Sequence, residues 1–221
     1  MPIDNVCEYI NIKDYSTILQ KLYNDVSKLK FNSFGKSNMI SFSLEDNITG
    51  EPTGYEKLFD PILSEHKKVH PNIQFRSTGF NVSDSIKNDC FAHTDVDYDK
   101  DHPNFYNLVI PIFGSSRIDY FETLAEEIHL PEVNAHGYAY YHEFKQQEVL
   151  KQGSVEFEKF LESKKIGHIV LDKPVLLNTN IMHRVVVTSA PRCAWVTRWN
   201  NIPEQIDYQT FKNKVEEILN G

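Results

Sequence analysis

What the chain lacks narrows it first. It has no apolar run of about 18 residues, the length a membrane-crossing helix needs, so a bilayer-spanning protein is not expected. Its first residues show neither a basic region nor an apolar stretch, so no secretory signal is expected. Cysteine is scarce: Cys7, Cys90 and Cys193 are an odd number, widely spaced, with no CxxC pair. That pattern predicts reduced thiols and a cytoplasmic location, which makes the sequons at Asn47 and Asn81 chance matches. There is no repeat, low-complexity tract, linker or Lys/Arg-rich stripe. The 23 basic residues are outnumbered by 31 acidic ones, for a formal net charge of −8. An acidic surface repels phosphate backbones and anionic lipid, which counts against nucleic-acid and membrane-surface partners. Apolar material is abundant, at 40% hydrophobic and 12% aromatic in 221 residues. This excludes a disordered chain, a small stapled scaffold and a collagen-like one. The length points to one domain covering 1–221.

Along the chain, Ile18, Leu19, Leu22, Val26 and Leu29 recur at spacings of three and four, which predicts an amphipathic helix over 13–31. Residues 32–72 are irregular and polar, with a short helix expected around 55–68. From 73 onward short β-rich runs follow: Ile73–Val82, Phe105–Phe113, Arg117–Phe121, Ile166–Leu171, Pro174–Leu177, Val185–Thr188 and Cys193–Trp199. Helices are expected at 155–164 and over Tyr208–Leu219, within a C-terminal segment 206–220. The stretch 124–152 interrupts the β pattern, acidic at first and then aromatic through Tyr138, Tyr140, Tyr141 and Phe144. Loops this long are functional or disordered, and this one is too aromatic for disorder. A helical flank, many strands with one long insertion, and a final helix predict a mainly β domain buttressed by helices, with its core at about 73–200.

One pattern among nine histidines carries chemistry. His93-Thr94-Asp95 is a His-x-Asp pair entering an acidic loop, and on a strand residues i and i+2 share a face, so both side chains can converge on one ion. Alone this pair is common by chance. Its context raises it. In the run Leu176–Val187, His183 directly precedes an apolar strand, and nine residues further Arg192 opens Arg192-Cys193-Ala194-Trp195-Val196-Thr197-Arg198-Trp199.

In these residues the chain resembles the Fe(II)/2-oxoglutarate-dependent oxygenases, whose pattern is His-x-Asp, a distal His, and then a basic residue. Asn107–Ile112 looks like the strand that follows the His-x-Asp loop in aspartyl- and prolyl-hydroxylase-like members, and 176–185 looks like their distal-His strand. The resemblance covers roughly 73–200. It implies a double-stranded β-helix (a cupin-like jelly roll), Fe(II) on His93, Asp95 and His183, and 2-oxoglutarate as cosubstrate with dioxygen. Two imidazoles and one carboxylate leave three adjacent octahedral positions open, which suits that reading. The far carboxylate of 2-oxoglutarate wants a planar bidentate cation, Arg192 at the family position or Arg198 six residues on. Many members carry Ser two residues after that arginine. Here it is Ala194, so a second cosubstrate contact is expected from Tyr106 or Asn107.

The resemblance implies a hydroxylase acting on an amino acid, either free or within a polypeptide, with release of succinate and CO2. Asp95 argues against a halogenase, which needs that position for halide. Arg76, Tyr138 and Tyr140 are the candidate substrate contacts. Two alternatives stay open: a non-catalytic, cupin-like metal- or small-molecule-binding protein, and a nucleic-acid-directed oxygenase, which the charge disfavours. Asp97 is an alternative ligand to Asp95. The acidic run Asp95–Asp101 reads as a solvated loop, with Ca²⁺ binding the lesser alternative. Trp195 and Trp199 read as β-core aromatics, and His66, like His70, His102, His129 and His168, as an ordinary residue.

Overall fold

The structure is a computed structural model and describes residues 5–12, 15–26, 39–41, 64–69, 74–83, 86, 92–95, 104–129, 141–151 and 153–221. Its elements, in chain order, are β1 (Cys7–Tyr9), α1 (Tyr15–Val26), β2 (Met39–Ser41), α2 (64–68), β3 (Gln74–Ser83), β4 (His93–Asp95) and β5 (Asn104–Phe121). A 3-10 turn (Ala125–Glu127) leads to β6 (Ile128–His129), β7 (Tyr141–Phe144) and α3 (Gln146–Val149). Then come α4 (Val155–Lys164), β8 (Lys165–Val170), β9 (Val175–Asn178), β10 (His183–Ile202) and α5 (Tyr208–Asn220).

Two strands are longer than the sequence suggests. The runs 105–113 and 117–121 are one strand, β5, and the runs 185–188 and 193–199 are one strand, β10. The two pair antiparallel along their whole length, from His183↔Tyr120 to Ile202↔Asn104. Their register slips around Ser189 and Cys193, where the ribbon turns a corner. Gly114 sits at that corner with φ +70, and a Cβ there would lie 2.3 Å from the Pro191 carbonyl oxygen. Only glycine fits, both for backbone conformation and for space. Gly114→Ala should therefore destabilise the fold by about 3 kcal/mol, combining left-handed strain with overpacking. A urea midpoint within error of wild type would disprove it.

Because of the corner, each long strand serves two sheets. Residues 104–113 and 192–202 form the centre of β1·β9·β5·β10·β3·β2, while 115–121 and 183–189 form the centre of β8·β5·β10·β4·β7·β6. Every pairing is antiparallel. Four strands of each sheet interleave as a double-stranded β-helix, mainly β with flanking helices, as the sequence predicts. The insertion extends the second sheet through β6 and β7.

Strand alternation sorts the side chains into three cores. Val109, Ala194, Val196 and Leu177 of the first sheet meet Ile118, Tyr120 and Ile169 of the second inside the barrel. Leu108, Ile110, Trp195 and Trp199 point the other way and are covered by Tyr15, Leu19 and Leu22 of α1 and by Tyr208, Phe211, Val215 and Leu219 of α5. Outside the second sheet, Ala92, Phe121, Phe144 and Met182 pack on Phe157 and Leu161 of α4. Caps set two helix starts: Ser154 accepts from Phe157 N at 3.1 Å, and Asp207 from Thr210 N at 2.7 Å. The stripe of α1 departs from expectation. Tyr15, Leu19 and Leu22 form its buried face, and Ile18 is 51% exposed.

His66 on α2 is buried beneath the first sheet, between the rings of Tyr15 and Trp199. Its Nδ1 bonds Thr197 Oγ1 at 2.7 Å and its Nε2 bonds the Tyr15 hydroxyl, so it pins the helical layer to β10. Burial pushes its pKa down to about 3. Unfolded imidazole titrates near 6.5, so above about pH 6.5 both states are neutral and the shift has no effect. Below that, only the unfolded state takes up the proton, and stability falls by up to about 1.4 kcal/mol per pH unit toward pH 3. His66→Gln should flatten the dependence of the urea midpoint on pH below about 6.5 relative to wild type. An equal slope in the variant would refute this.

Candidate active site

Strand register brings the sequence motifs together. β4 lies beside β10, with His93 directly opposite His183, and the Asp95 amide donates to the Thr179 carbonyl at 2.8 Å. The two imidazole centroids are 4.6 Å apart, and His93 Nε2 lies 3.8 Å from Asp95 Oδ1. His183 Nδ1 is 2.9 Å from the Ile181 carbonyl oxygen, which can only accept, so Nδ1 carries the proton and Nε2 keeps its lone pair. Asn107 Nδ2 donates to Asp95 Oδ2 at 2.9 Å, which leaves Oδ1 as the oxygen on the His93 side.

Electrostatics prepare the same atoms for a cation. Burial lowers the His183 pKa to about 4, with the neighbouring His93 adding to the effect, so the ring is neutral at physiological pH, as a ligand must be. Burial would raise the Asp95 pKa, but His93, His183, Arg198 and the Asn107 hydrogen bond together hold it below the ordinary carboxylate value. The donor set of two neutral imidazoles and one carboxylate is the facial set that suits non-haem Fe(II). Among the described residues no three ligating side chains already stand around one point. Neighbouring donors on an octahedral ion with bonds of about 2.1 Å lie about 3 Å apart, so the 3.8 Å gap closes by a small side-chain rotation.

Both arginines face the barrel interior, at opposite ends. Arg192 follows the corner, is 4% exposed, and donates from Nε to Ser116 Oγ at 3.1 Å. Ser116 lies on the β5 half that belongs to the opposite sheet, so this hydroxyl reaches the guanidinium from across the barrel. Arg198 stands directly opposite Asn107, at the end that holds His93, Asp95 and His183, and is partly exposed. Asn107 itself is in the site. Tyr106 is not: the same alternation that turns Asn107 inward sends Tyr106 outward, where its ring packs on Tyr208 at 5.5 Å and Phe211 at 5.2 Å. Arg76 lies on β3 between Phe75, opposite Trp199, and Ser77, opposite Arg198. Its side chain, and the whole of Asp97, Tyr138 and Tyr140, fall outside the described residues.

The structure adds side chains that the sequence reading missed. Tyr120, Ser116, Gln147 and Glu143 all join the site or its frame. Directly opposite pairs run Tyr120–His183–His93–Glu143–His129 across five strands of the second sheet. Tyr120 is fully buried inside the barrel, with its ring 6.1 Å from that of His183 and its hydroxyl without a partner. Burial keeps that phenol protonated, with its pKa raised well above the ordinary value. Gln147 of α3 donates to the Ala92 carbonyl and accepts from the Ala92 amide, both at 2.9 Å, acting as a strand partner beside His93. The position of Tyr120, two residues after inward-facing Ile118 on an alternating strand, was the available signal. Nothing local marks Gln147 or Glu143.

This fold is shared with crystal structures of HygX from Streptomyces hygroscopicus. With nickel and 2-oxoglutarate bound, HygX superposes with a TM-score of 0.55 at 10% identity, over 91% of this chain and 84% of that one. With nickel, 2-oxoglutarate and hygromycin B bound, it superposes with a TM-score of 0.53, again at 10% identity and with the same coverage of each chain. EctD from S. alaskensis, crystallised with 2-oxoglutarate and 5-hydroxyectoine, gives 0.46 at 11% identity over 87% of this chain and 71% of that one. No protein-family model and no curated protein matches the sequence.

Proposed function

We propose that this chain is an Fe(II)- and 2-oxoglutarate-dependent dioxygenase, a single domain with its core at about 73–200, that hydroxylates an amino acid and releases succinate and CO2. The observation that carries the reading is the buried Arg192–Ser116 pair, aimed into the same barrel whose other end holds His93, Asp95 and His183. A protein that only binds a metal has no use for a desolvated guanidinium there. HygX, with the same fold, holds nickel and 2-oxoglutarate.

Nε2 of His93, Nε2 of His183 and Oδ1 of Asp95 would hold the ion. Bound Fe(II) supplies the redox chemistry that couples decarboxylation of 2-oxoglutarate to oxidation of a substrate C–H bond. The protein does the rest. Ile181 and Asn107 orient two of the ligands. Arg192 binds the far carboxylate of the cosubstrate in a desolvated, charge-assisted pair, with Ser116 fixing the plane of the guanidinium. The Tyr120 hydroxyl donates a further hydrogen bond to the cosubstrate. Val109, Ala194, Val196 and Ile118 pack as buried apolar residues between the two ends and exclude water from the barrel interior, which strengthens each of those contacts.

No helix among the described residues is long and apolar enough to cross a membrane. Cys7 and Cys193 are both buried, and a cytoplasmic location is part of this proposal. The direct test is anaerobic titration with Fe(II) and 2-oxoglutarate, which should develop a weak visible metal-to-ligand charge-transfer band. Admission of oxygen should then release succinate. Absence of the band from folded protein would remove the reading.

A further inference from the structure

The polar groups inside the barrel that lack a partner are of two kinds. The Tyr120 hydroxyl is a donor, and the cosubstrate gives it an acceptor on the function proposed above. Asn107 Oδ1 is an acceptor. Asn107 is 5% exposed, its Nδ2 is committed to Asp95, and its Oδ1 is buried with no hydrogen-bond partner. At neutral pH 2-oxoglutarate is a dianion with a keto group and offers acceptors only, so it leaves Asn107 Oδ1 as it was. A buried carbonyl oxygen without a donor is costly, and the donor has to arrive on the substrate.

A second acceptor stands on the other side of the same ligands. Glu143 lies directly opposite His93 where β4 pairs with β7. Its neighbour Phe144 packs outside the sheet with α4, and so does Ile128, opposite Phe144 on β6. Alternation therefore turns Glu143 to the inner face, into the row that holds His93 and His183. Opposite side chains on an antiparallel pair have Cβ atoms about 5 Å apart, so the carboxylate stands one strand spacing from a metal ligand. Tyr120 occupies the other end of the row, beyond His183, on the side given to the cosubstrate. A carboxylate repels that dianion, so the Glu143 side belongs to the substrate.

Among the described residues Glu143 has no paired cation. It is partly buried and accepts one long hydrogen bond, 3.5 Å from Gln147 Nε2. His129, directly opposite it on β6, turns instead to Glu148, with Nδ1 3.5 Å from Glu148 Oε1, and its Nε2 is buried without a partner. Burial raises the Glu143 pKa; His129 acts against this and Glu148 adds to it. A carboxylate so placed gains from a cation that arrives with a ligand.

We propose that Glu143 and Asn107 form the substrate subsite for a cationic nitrogen group, so that the amino acid hydroxylated is one with an ammonium or guanidinium side chain. Glu143 pairs with the side-chain cation, and Asn107 Oδ1 accepts from a second N–H of the same molecule. This inference rests on the function proposed above and narrows it. Acidic and hydrocarbon side chains offer nothing to Glu143. The backbone nitrogen carries N–H both in a free amino acid and in a polypeptide, so the two sources share this chemistry and the test separates them.

The test uses the anaerobic complex of the full chain with Fe(II) and 2-oxoglutarate. If its charge-transfer band fails to form, the parent function falls, and this inference with it. With the band present, lysine, ornithine and arginine are added in turn, each free and as its N-acetyl carboxamide, beside the uncharged analogues norleucine, norvaline and citrulline. Succinate release is then followed in air. At least one basic compound should shift the band and raise succinate release about tenfold or more over the uncoupled rate. Whether its free or its capped form does so tells a free substrate from a side chain in a polypeptide, and either supports the subsite. The uncharged analogue should need about 30-fold more for half-saturation, the lower end for a desolvated charge pair, as suits a partly buried carboxylate. Glu143→Gln should erase that preference for the cation, while half-saturation by 2-oxoglutarate moves by less than about threefold. Glu143→Asp, which keeps the charge on a shorter stem, should retain part of the preference and guards against a folding artefact. The inference is overturned if no basic compound shifts the band, if the uncharged analogue works as well, if Glu143→Gln keeps the preference, or if its loss falls on 2-oxoglutarate.

Discussion

His183→Ala should abolish the visible charge-transfer band and succinate release together, while the protein stays folded. His183 supplies one of three donors, and its ring is fixed by the Ile181 carbonyl rather than by a flexible contact. Loss of a residue that only orients a ligand costs 10–100-fold in metal affinity, so loss of the ligand itself should exceed about 100-fold. His93→Ala should do the same, because its imidazole is 4.6 Å from that of His183 and its Nε2 is 3.8 Å from Asp95 Oδ1. Asp95→Ala removes the only anionic donor of the three. Metal affinity is read by titrating Fe(II) anaerobically against a chelator, and stability by urea denaturation of the apo protein. The buried imidazole is desolvated in the apo state, so its removal should not lower apo stability by more than about 1 kcal/mol. Retention of metal binding in either histidine variant would move the metal site elsewhere.

Arg192→Ala should leave metal binding intact and raise half-saturation by 2-oxoglutarate about 100-fold or more. A desolvated, hydrogen-bonded charge pair at 4% exposure loses 2–5 kcal/mol when one partner is truncated. The contrast with His183→Ala separates the two roles: one variant loses the ion, the other keeps it and loses the cosubstrate. Arg192→Lys should recover only part of the loss, because a point charge cannot both pair with a carboxylate and hold the Ser116 hydroxyl. An unchanged 2-oxoglutarate requirement in Arg192→Ala would transfer the anchoring role to Arg198.

Legibility followed the range of the interaction. His93, Asp95, His183 and Arg192 were candidates because of the order and spacing of short motifs, and the pairing of β4 with β10 places the first three side by side. The mainly β architecture was legible from its short β-rich runs. Tyr106 and Asn107 could not be separated, since both flank apolar residues and only the covering of one face by α5 decides which of them points in. Gly114 and Pro191 look like turn residues, and in most sequences would end a strand. Here two chains bend together, and the ladder that carries β5 and β10 through the corner involves residues some 75 positions apart. Gln147 is invisible for a similar reason, as its partner Ala92 lies 55 residues away. Ile18 joined the predicted stripe of α1 because Tyr15, half polar, was not counted as its anchor.

The corner at Gly114 has a consequence for chemical selectivity. It lies just before Arg192 on the facing strand, so the distance from the His–Asp–His end to the guanidinium is set by two rigid half-strands rather than by a loop. Under the function proposed above, the barrel would act as a ruler for dicarboxylic acids. A keto-diacid one methylene shorter than 2-oxoglutarate would hold its far carboxylate about 1.3 Å short, stretching a hydrogen bond of about 2.9 Å beyond 4 Å. One methylene longer would press that carboxylate into Ser116 and the backbone of the corner. On the function proposed above, oxaloacetate and 2-oxoadipate should both fail to replace 2-oxoglutarate in supporting the charge-transfer band.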